Sequence, residues 1–140
     1  MTVSQIAVFL ENKKGRLSEM TKVLGNAGVD LIALTIADTK EFGIVRFITK
    51  DNEKVLSLLK ENGYTATRTE LLGVEVSDVP GGLHDVLRLL GDGGIEIEYL
   101  YSFARTYLKK AVILFKVGDN QKALKILKDG GAALIDNIFE

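Results

Sequence analysis

An internal repeat constrains the fold of this chain more than any other feature of its sequence. The segment from Asn12 to Gly28 returns 66 residues later as the segment from Asp78 to Gly94. Farther along, the segment that begins at Phe47 returns 68 residues later, beginning at Phe115. A repeat at a fixed spacing indicates one structural unit built more than once. We therefore predict two units, residues 1–70 and residues 71–140.

The two units are predicted to pack side by side. A unit of about 70 residues buries only about 60% of the surface that its unfolded chain exposes, so it is marginally stable alone. No proline-rich or serine-rich linker separates the halves, and the stretch from Thr67 to Val76 has the character of one strand running almost directly into the next. We therefore expect an interface between the units rather than two domains on a flexible linker.

Each unit has the predicted element order βαββαβ. In the first unit, apolar residues recur with helical spacing from Leu17 to Ala27, and Gly28 is expected to end this helix. Asp51 or Asn52 is placed to cap a second helix. Short apolar and β-branched segments predict the strands, and the final strand is expected from Ala132 to Phe139. This order is that of a ferredoxin-like unit, so the predicted fold class is α+β, an antiparallel sheet with both helices on one face.

The second strand of each unit changes its alternation partway along. In the first unit, the inward positions shift by one residue before Leu34 and Ile36. The second unit shifts in the same way, which places Tyr99, Tyr101 and Phe103 on the sheet face away from the helices. A change of phase inside a strand predicts a β-bulge. Because three exposed aromatic rings would form an unfavourable patch, we expect a subunit or domain contact, or else a ligand, to cover them.

The composition excludes several classes of site. With no cysteine and one histidine, the chain lacks the residues for a disulfide framework, a zinc–thiolate site or a histidine metal cluster. Its 18 basic residues are scattered and balanced by 19 acidic ones, which argues against nucleic acid as a partner. We identify no signal peptide and no apolar run near the roughly 20 residues that span a bilayer. We expect a cytoplasmic protein without a metal, a cofactor or a membrane contact.

The repeated turn and its surroundings resemble the ACT domain, a family of small regulatory modules that bind amino acids. The resemblance rests on the βαββαβ order and on the turn Asn12-Lys-Lys-Gly15-Arg-Leu17 with its copy Asp78-Val-Pro-Gly81-Gly-Leu83. It also rests on the entry to the second strand, Gly28-Val-Asp-Leu31 and Gly94-Ile-Glu-Ile97. The resemblance covers essentially the whole chain, as a tandem pair without an attached enzyme.

What the resemblance implies is a non-catalytic regulatory protein that binds a free amino acid at the interface between ACT units. Backbone N–H groups at the start of a helix can hold its carboxylate, and glycine at position 15 or 81 lets a ligand approach the backbone. Asn12 or Asp78 would accept a hydrogen bond from its α-ammonium group. The candidate ligand-binding residues are Asn12, Gly15, Arg16, Leu17, Asp78, Val79, Pro80, Gly81, Gly82, Leu83, Tyr99 and Tyr101.

The two candidate sites are not expected to be equivalent, because Gly82 stands where the first copy has Arg16. The Pro-Gly turn of the second copy is closer to the common ACT pattern, so we expect the better-formed site at Asp78 to Leu83. The implied partners are an amino acid, a second copy of the chain in a homodimer and a possible separate enzyme.

Simpler readings stand beside these. The glycine turns can serve only to bend the chain into a helix, Leu17 and Leu83 can be core residues, and Asn12 and Asp78 can cap their own backbone. The alternative function is a ligand-independent interaction module, or a regulatory subunit of an amino-acid biosynthetic enzyme. RNA binding shares the element order, but it needs stacking aromatics with basic neighbours, which the first unit does not offer.

Overall fold

The computed structural model describes residues 1–38, 41–105, 110–135 and 137–139. These residues form eleven elements in the order of two successive βαββαβ units that share one strand. The elements are β1 (Val3–Glu11), α1 (Arg16–Asn26), β2 (Ile32–Asp38), β3 (Phe42–Ile48), α2 (Asn52–Glu61), β4 (Thr65–Ser77), α3 (Gly82–Asp92), β5 (Ile97–Arg105), β6 (Lys110–Val117), α4 (Asn120–Asp129) and β7 (Ala133–Ile135).

The chain divides into two compact units. The first, Ser4–Thr69, has the strand order β2-β3-β1-β4. The second comprises Glu70–Glu140 together with Met1–Val3, and its strand order is β7-β4-β6-β5. In the first unit, β3 pairs antiparallel with β1 and β2; in the second, β4 pairs antiparallel with β6 and β7, and β5 with β6. Both units therefore have the same ferredoxin-like arrangement, and the predicted fold class is confirmed.

One strand belongs to both units. The stretch expected to be one strand running almost directly into another is the single strand β4, whose residues up to Thr69 fall in the first unit and whose later residues fall in the second. The final strand is shorter than predicted: β7 ends at Ile135, and residues 137–139 lie in a turn region. Asp136, which the prediction included, lies outside the described residues.

Each unit has its own apolar core between its sheet and its two helices. In the first unit, Met20 of α1 and Leu59 of α2 pack with strand residues that include Phe47. In the second, Leu90 of α3 and Leu127 of α4 pack with strand residues that include Phe115. Phe47 and Phe115, which correspond in the repeat, are both fully buried. Both helices of a unit thus cover the same face of its sheet.

Matching caps begin the second helix of each unit. Asp51 accepts a hydrogen bond from the backbone N–H of Lys54 at 3.1 Å, and Asp119 accepts one from Lys122 at 3.0 Å. A side-chain oxygen at this position satisfies an N–H group that the helix cannot pair itself. The predicted cap of α2 is therefore confirmed, with Asp51 rather than Asn52 as the cap.

The predicted bulge is present in the second strand of both units. The register of β2 against β3 shifts between Ile32 and Leu34, and that of β5 against β6 shifts between Ile97 and Tyr99. Ala33 adopts φ = 53°, in the left-handed region. A bulge leaves one extra residue between paired positions, which re-aims the side chains that follow.

The bulge places the predicted side chains on the expected faces but does not bury all of them. Leu34 is the partner of the core residue Phe47, so it lies on the helix-covered face. Leu34 is nevertheless 44% exposed and Ile36 48% exposed, because β2 is an edge strand. The aromatic residues Tyr99, Tyr101 and Phe103 are half-buried. Leu34 and Ile36 therefore lie on the predicted inward face of the strand but remain exposed at the sheet edge.

Candidate functional site

The glycine turn of the first unit has a specific hydrogen-bonded geometry. Gly15 precedes α1 with φ = 88° and ψ = −9°, a left-handed conformation that glycine adopts without a steric penalty. The backbone N–H of Lys13 donates to the Glu11 carbonyl at 2.8 Å, and that of Arg16 donates to the Lys13 carbonyl at 3.2 Å. The N–H of Glu19 then donates to the Gly15 carbonyl at 2.9 Å, which begins the helix.

The second unit repeats this geometry. Gly81 has φ = 90° and ψ = −12°. The N–H of Val79 donates to the Ser77 carbonyl at 2.9 Å, and the N–H of Gly82 donates to the Val79 carbonyl at 3.1 Å. The N–H of Asp85 donates to the Gly81 carbonyl at 3.2 Å. The sequence repeat is therefore also a repeat of backbone conformation.

Both turns leave backbone N–H groups at the helix start without a protein acceptor. Within the described parts of the chain, this holds for Leu17 and Ser18 of α1 and for Leu83 and His84 of α3. Neither helix has a side-chain cap. Such N–H groups, together with the partial positive charge of a helix N-terminus, favour a carboxylate.

The leucine of each turn is exposed. Leu17 and Leu83 are both 37% exposed, and neither belongs to a core cluster. The reading of these leucines as core residues is therefore wrong. Asn12 and Asp78 are also exposed, and the backbone N–H of Asn12 donates to the Glu41 carbonyl at 3.0 Å.

The turn of the first unit has a group of charged side chains. The Arg16 guanidinium lies 3.4 Å from the Glu19 carboxylate and 3.7 Å from the Glu11 carboxylate, and the Lys13 ammonium lies 3.0 Å from Glu11. The hydrogen bond from Lys13, with the positive charges of Lys13 and Arg16, holds the pKa of the Glu11 carboxyl below its usual value. All four side chains are substantially solvent-exposed.

The turn of the second unit cannot carry the same arrangement. A β-carbon at position 82 would collide with the Ser77 carbonyl oxygen. Glycine is therefore required by the local backbone at position 82, whereas the first unit accommodates Arg16 at the corresponding position. The backbone path of the second turn therefore prevents an arginine at position 82, and the two turns differ in charge for this reason.

Beside the first turn lies a cavity of about 250 Å³. Its polar wall contains Glu11, Arg16 and Glu19, and aromatic side chains from three strand or turn positions complete it: Phe9, Phe42 and Tyr64. Burial raises the pKa of the Tyr64 phenol, and the negative charge of Glu19 raises it further, while Arg16 opposes the change. The cavity thus combines a charged side and an aromatic side.

The second unit has a cavity of about 570 Å³ at the corresponding place, lined by different side chains. Phe42 pairs with Glu11 in the first unit, and Lys110 pairs with Ser77 in the second, so Lys110 occupies the place of Phe42. The wall of the second cavity also contains Glu75, Gly82 and Ala132. This cavity is larger, and no phenylalanine or tyrosine lines it among the described residues.

Five of the twelve predicted site residues line the two cavities, and Arg16 is the one that lines the first. The turn residues Val79, Pro80, Gly81 and Gly82 line the second cavity together. Tyr99 and Tyr101 lie on β5, which is separated from β4 and the turn that follows it by the intervening strand β6.

Sequence reasoning did not identify Phe9, Phe42 and Tyr64 as possible site residues. Phe9 could have been found, because it alternates with the core residues Val8 and Leu10 and so had to lie on the other sheet face. The approach of Tyr64 to the turn depends on how the end of α2 meets the start of α1, which the sequence pattern does not specify.

The described residues offer neither a membrane-spanning helix nor a metal-binding cluster. Of the helices in residues 1–38, 41–105, 110–135 and 137–139, none combines the length and apolar character needed to cross a bilayer. The same residues contain no group of three or more histidine and acidic side chains placed to hold a metal ion.

Comparison with known proteins identifies the family. The chain matches the family model of the ACT domain pair over residues 1–137. It is similar to the crystal structure of protein BT0572 from Bacteroides thetaiotaomicron, with 38% sequence identity, a TM-score of 0.90, and coverage of 96% of this chain and 92% of that chain. No curated protein matches the chain.

More distant similarities concern the fold alone. The ligand-free regulatory subunit of aspartate kinase from Thermus thermophilus has 14% identity and a TM-score of 0.63, with 91% of each chain covered. The regulatory subunit of aspartate kinase from Thermus flavus has 13% identity and a TM-score of 0.63, covering 91% of this chain and 92% of that chain. Repeat, turn geometry and family match agree, and the chain belongs to the ACT domain pair family.

Proposed function

We propose that this protein is a non-catalytic regulatory protein that binds a free amino acid at its glycine turns. The observation that carries the proposal is the duplicated helix start, where the N–H groups of Leu17 and Ser18, and those of Leu83 and His84, have no acceptor in the described residues. A helix N-terminus of this kind favours the α-carboxylate of an amino acid. Asn12 or Asp78 would accept a hydrogen bond from the α-ammonium group.

A second copy of the chain is part of this proposal. Both turns and their leucines are exposed, so a site formed by one turn alone would leave a bound amino acid largely in water. An ACT unit of a second copy would close the site, and the protein would act as a homodimer. Ligand binding would favour one arrangement of the copies only through its different affinity for the two states, and the response would pass to a separate enzyme.

The proposal is tested by thermal denaturation in the presence of each of the twenty amino acids. A ligand that binds the folded state raises its free energy of unfolding, by about 2.7 kcal/mol at a concentration 100 times its Kd. We expect at least one amino acid to raise the Tm, and we expect its amide and N-acetyl analogues not to do so, because each analogue lacks one of the two charges. Titration calorimetry would confirm the hits.

A second candidate function is a ligand-independent interaction module. The exposed apolar side chains of the edge strand β2, Leu34 and Ile36, favour it, since such side chains are typical of contact surfaces. A Tm that no amino acid changes, with a stable dimer by sedimentation, would reject the amino-acid sensor and support this module. Under either proposal, we expect the protein to be in the cytoplasm.

A further inference from the structure

We propose that the cavity of the first unit selects an amino acid with a large apolar side chain, which lies against Phe9 and Phe42 while its charged groups meet Arg16 and Glu19. This inference rests on the proposed function and assigns a ligand class to one of the two turns. There Arg16 would hold the carboxylate together with the backbone N–H groups, and Glu19, in place of Asn12, would accept the hydrogen bond from the ammonium group. The second turn is not expected to share this selectivity.

The charged side chains of the cavity can exchange their ion pairs within the protein for ion pairs with a ligand at little cost in free energy. The distances from Arg16 to Glu19 and Glu11, 3.4 and 3.7 Å, exceed the roughly 2.7–2.9 Å of a short charge-assisted hydrogen bond. Exposed ion pairs of this kind contribute little to stability. A ligand carboxylate can therefore form an ion pair with the Arg16 guanidinium, and a ligand ammonium can form one with the Glu19 carboxylate. Breaking the existing ion pair would cost the protein little folding free energy.

The other end of the cavity offers apolar surface that the chain leaves in contact with water. Phe9 is 46% exposed and Phe42 51% exposed. Both also line an adjoining hollow of about 480 Å³ with Ile44 and Thr65. An apolar side chain that covers these rings removes apolar surface from both partners, and an aromatic side chain adds favourable ring contacts.

The size of the cavity agrees with a single amino acid. Its volume of about 250 Å³ lies just below the ~300–1,000 Å³ typical of sites for drug-sized ligands. The charged side chains and the aromatic rings line the same cavity, so one small molecule can contact both kinds of wall.

The second unit provides an internal comparison. At the corresponding place it has Lys110 where the first unit has Phe42, Gly82 where it has Arg16, and Ala132 where it has Tyr64. Both units have a cavity at this place, but among the described residues only the first is lined by phenylalanine, tyrosine and arginine side chains. The selectivity therefore belongs to the first unit.

The test measures binding of phenylalanine and leucine, and of serine, threonine, aspartate and lysine, to the full chain by calorimetry and by Tm. We expect phenylalanine and leucine to bind, and we expect Phe42→Ala to weaken phenylalanine binding at least tenfold. The matched control is Leu100→Ala, which removes an exposed apolar side chain of the second unit, outside the cavity. It should leave the affinity within twofold. Phe42→Leu, which keeps an apolar side chain, tests the ring separately should Phe42→Ala fail to fold.

The outcomes separate this inference from the proposed function. Binding of the polar amino acids without binding of phenylalanine or leucine would overturn the inference and leave the proposed function standing. Equal changes of affinity in Phe42→Ala and Leu100→Ala would also overturn the inference and leave the proposed function standing. If none of the twenty amino acids binds, the proposed function fails and this inference fails with it.

Discussion

At the scale of the residue, position 16 and its counterpart, position 82, differentiate two otherwise matching turns. Arg16 adds a guanidinium beside Glu11 and Glu19, whereas the Ser77 carbonyl excludes any β-carbon at Gly82. The exchange of arginine for glycine is visible in the sequence. The reason for it is not, because the collision depends on the path of the backbone between Ser77 and Gly82.

Glu11 gives the first turn a pH dependence of predictable sign. Its folded-state pKa lies below the reference value of 4.5, mainly because of Lys13. The stabilising contribution is therefore present above pH ~4.5 and is lost as the pH falls through the folded-state pKa. We expect the difference in free energy of unfolding between the unmodified protein and Glu11→Gln to shrink over this acid range, as measured by urea denaturation at a series of pH values.

The control for this prediction is Lys13→Gln, which removes the largest cause of the shift while keeping the carboxyl group. In that variant, an NMR titration of Glu11 should give a pKa closer to 4.5. A titration curve of Glu11 that is the same with and without Lys13 would contradict the assignment.

At the scale of the element, the bulge in β2 shows what a sequence pattern can and cannot specify. The change of phase before Leu34 predicted the register shift, because side-chain alternation has a period of two. It did not predict that Ala33 would adopt a positive φ, since Glu98, the extra residue of the other bulge, does not. Nor did it predict the exposure of Leu34, which follows from the position of β2 at the edge of the sheet.

Ala33 is therefore a position where glycine should be tolerated or preferred. A left-handed conformation costs a residue with a β-carbon about 1–2 kcal/mol, while glycine loses roughly 0.5–1 kcal/mol through its greater freedom in the unfolded chain. We expect Ala33→Gly to leave the free energy of unfolding unchanged or to raise it by up to about 1.5 kcal/mol, as measured by urea denaturation.

The matched control lies in the same strand. Ala37 has no positive φ, so Ala37→Gly should lower the free energy of unfolding by about 0.5–1 kcal/mol. Equal losses in the two variants would show that Ala33 is not strained in the bulge.

At the scale of the whole molecule, the repeat predicted the architecture because periodicity, caps and turns agree in both copies. Local agreement of this kind does not extend to the cavities. Their walls combine the end of a strand, the start of a helix and a turn from elsewhere in the unit, as with Glu11, Arg16 and Tyr64. Residues that come into contact only through tertiary packing show no regular spacing in the sequence. For this reason the sequence pattern did not identify Phe42 as a site residue.

The separate cores lead to a prediction for the molecule as a whole. Phe47 and Phe115 are fully buried at corresponding positions of two distinct clusters. Truncation of such a side chain to alanine costs about 3–5 kcal/mol, so we expect the milder changes Phe47→Leu and Phe115→Leu to cost on the order of 1–2 kcal/mol. Hydrogen exchange should show loss of protection first in the helices of the substituted unit.

Each of these two variants serves as the control for the other. Phe47→Leu should affect α1 and α2, and Phe115→Leu should affect α3 and α4. An identical pattern of lost protection in both variants would contradict the assignment of each phenylalanine to its own core.

The shared strand β4 has a consequence for any attempt to divide this protein. A cut between Thr69 and Glu70 would sever a strand in the middle of its length and leave Met1–Val3 on the wrong fragment, although these residues cluster with the second unit. The side chain of Val3 lies against Gly73, so the second fragment would lose that neighbour as well. The duplication can be read in the sequence, but the halves are not expected to survive as autonomous modules; they should recover native structure only when the fragments are mixed and reassociate.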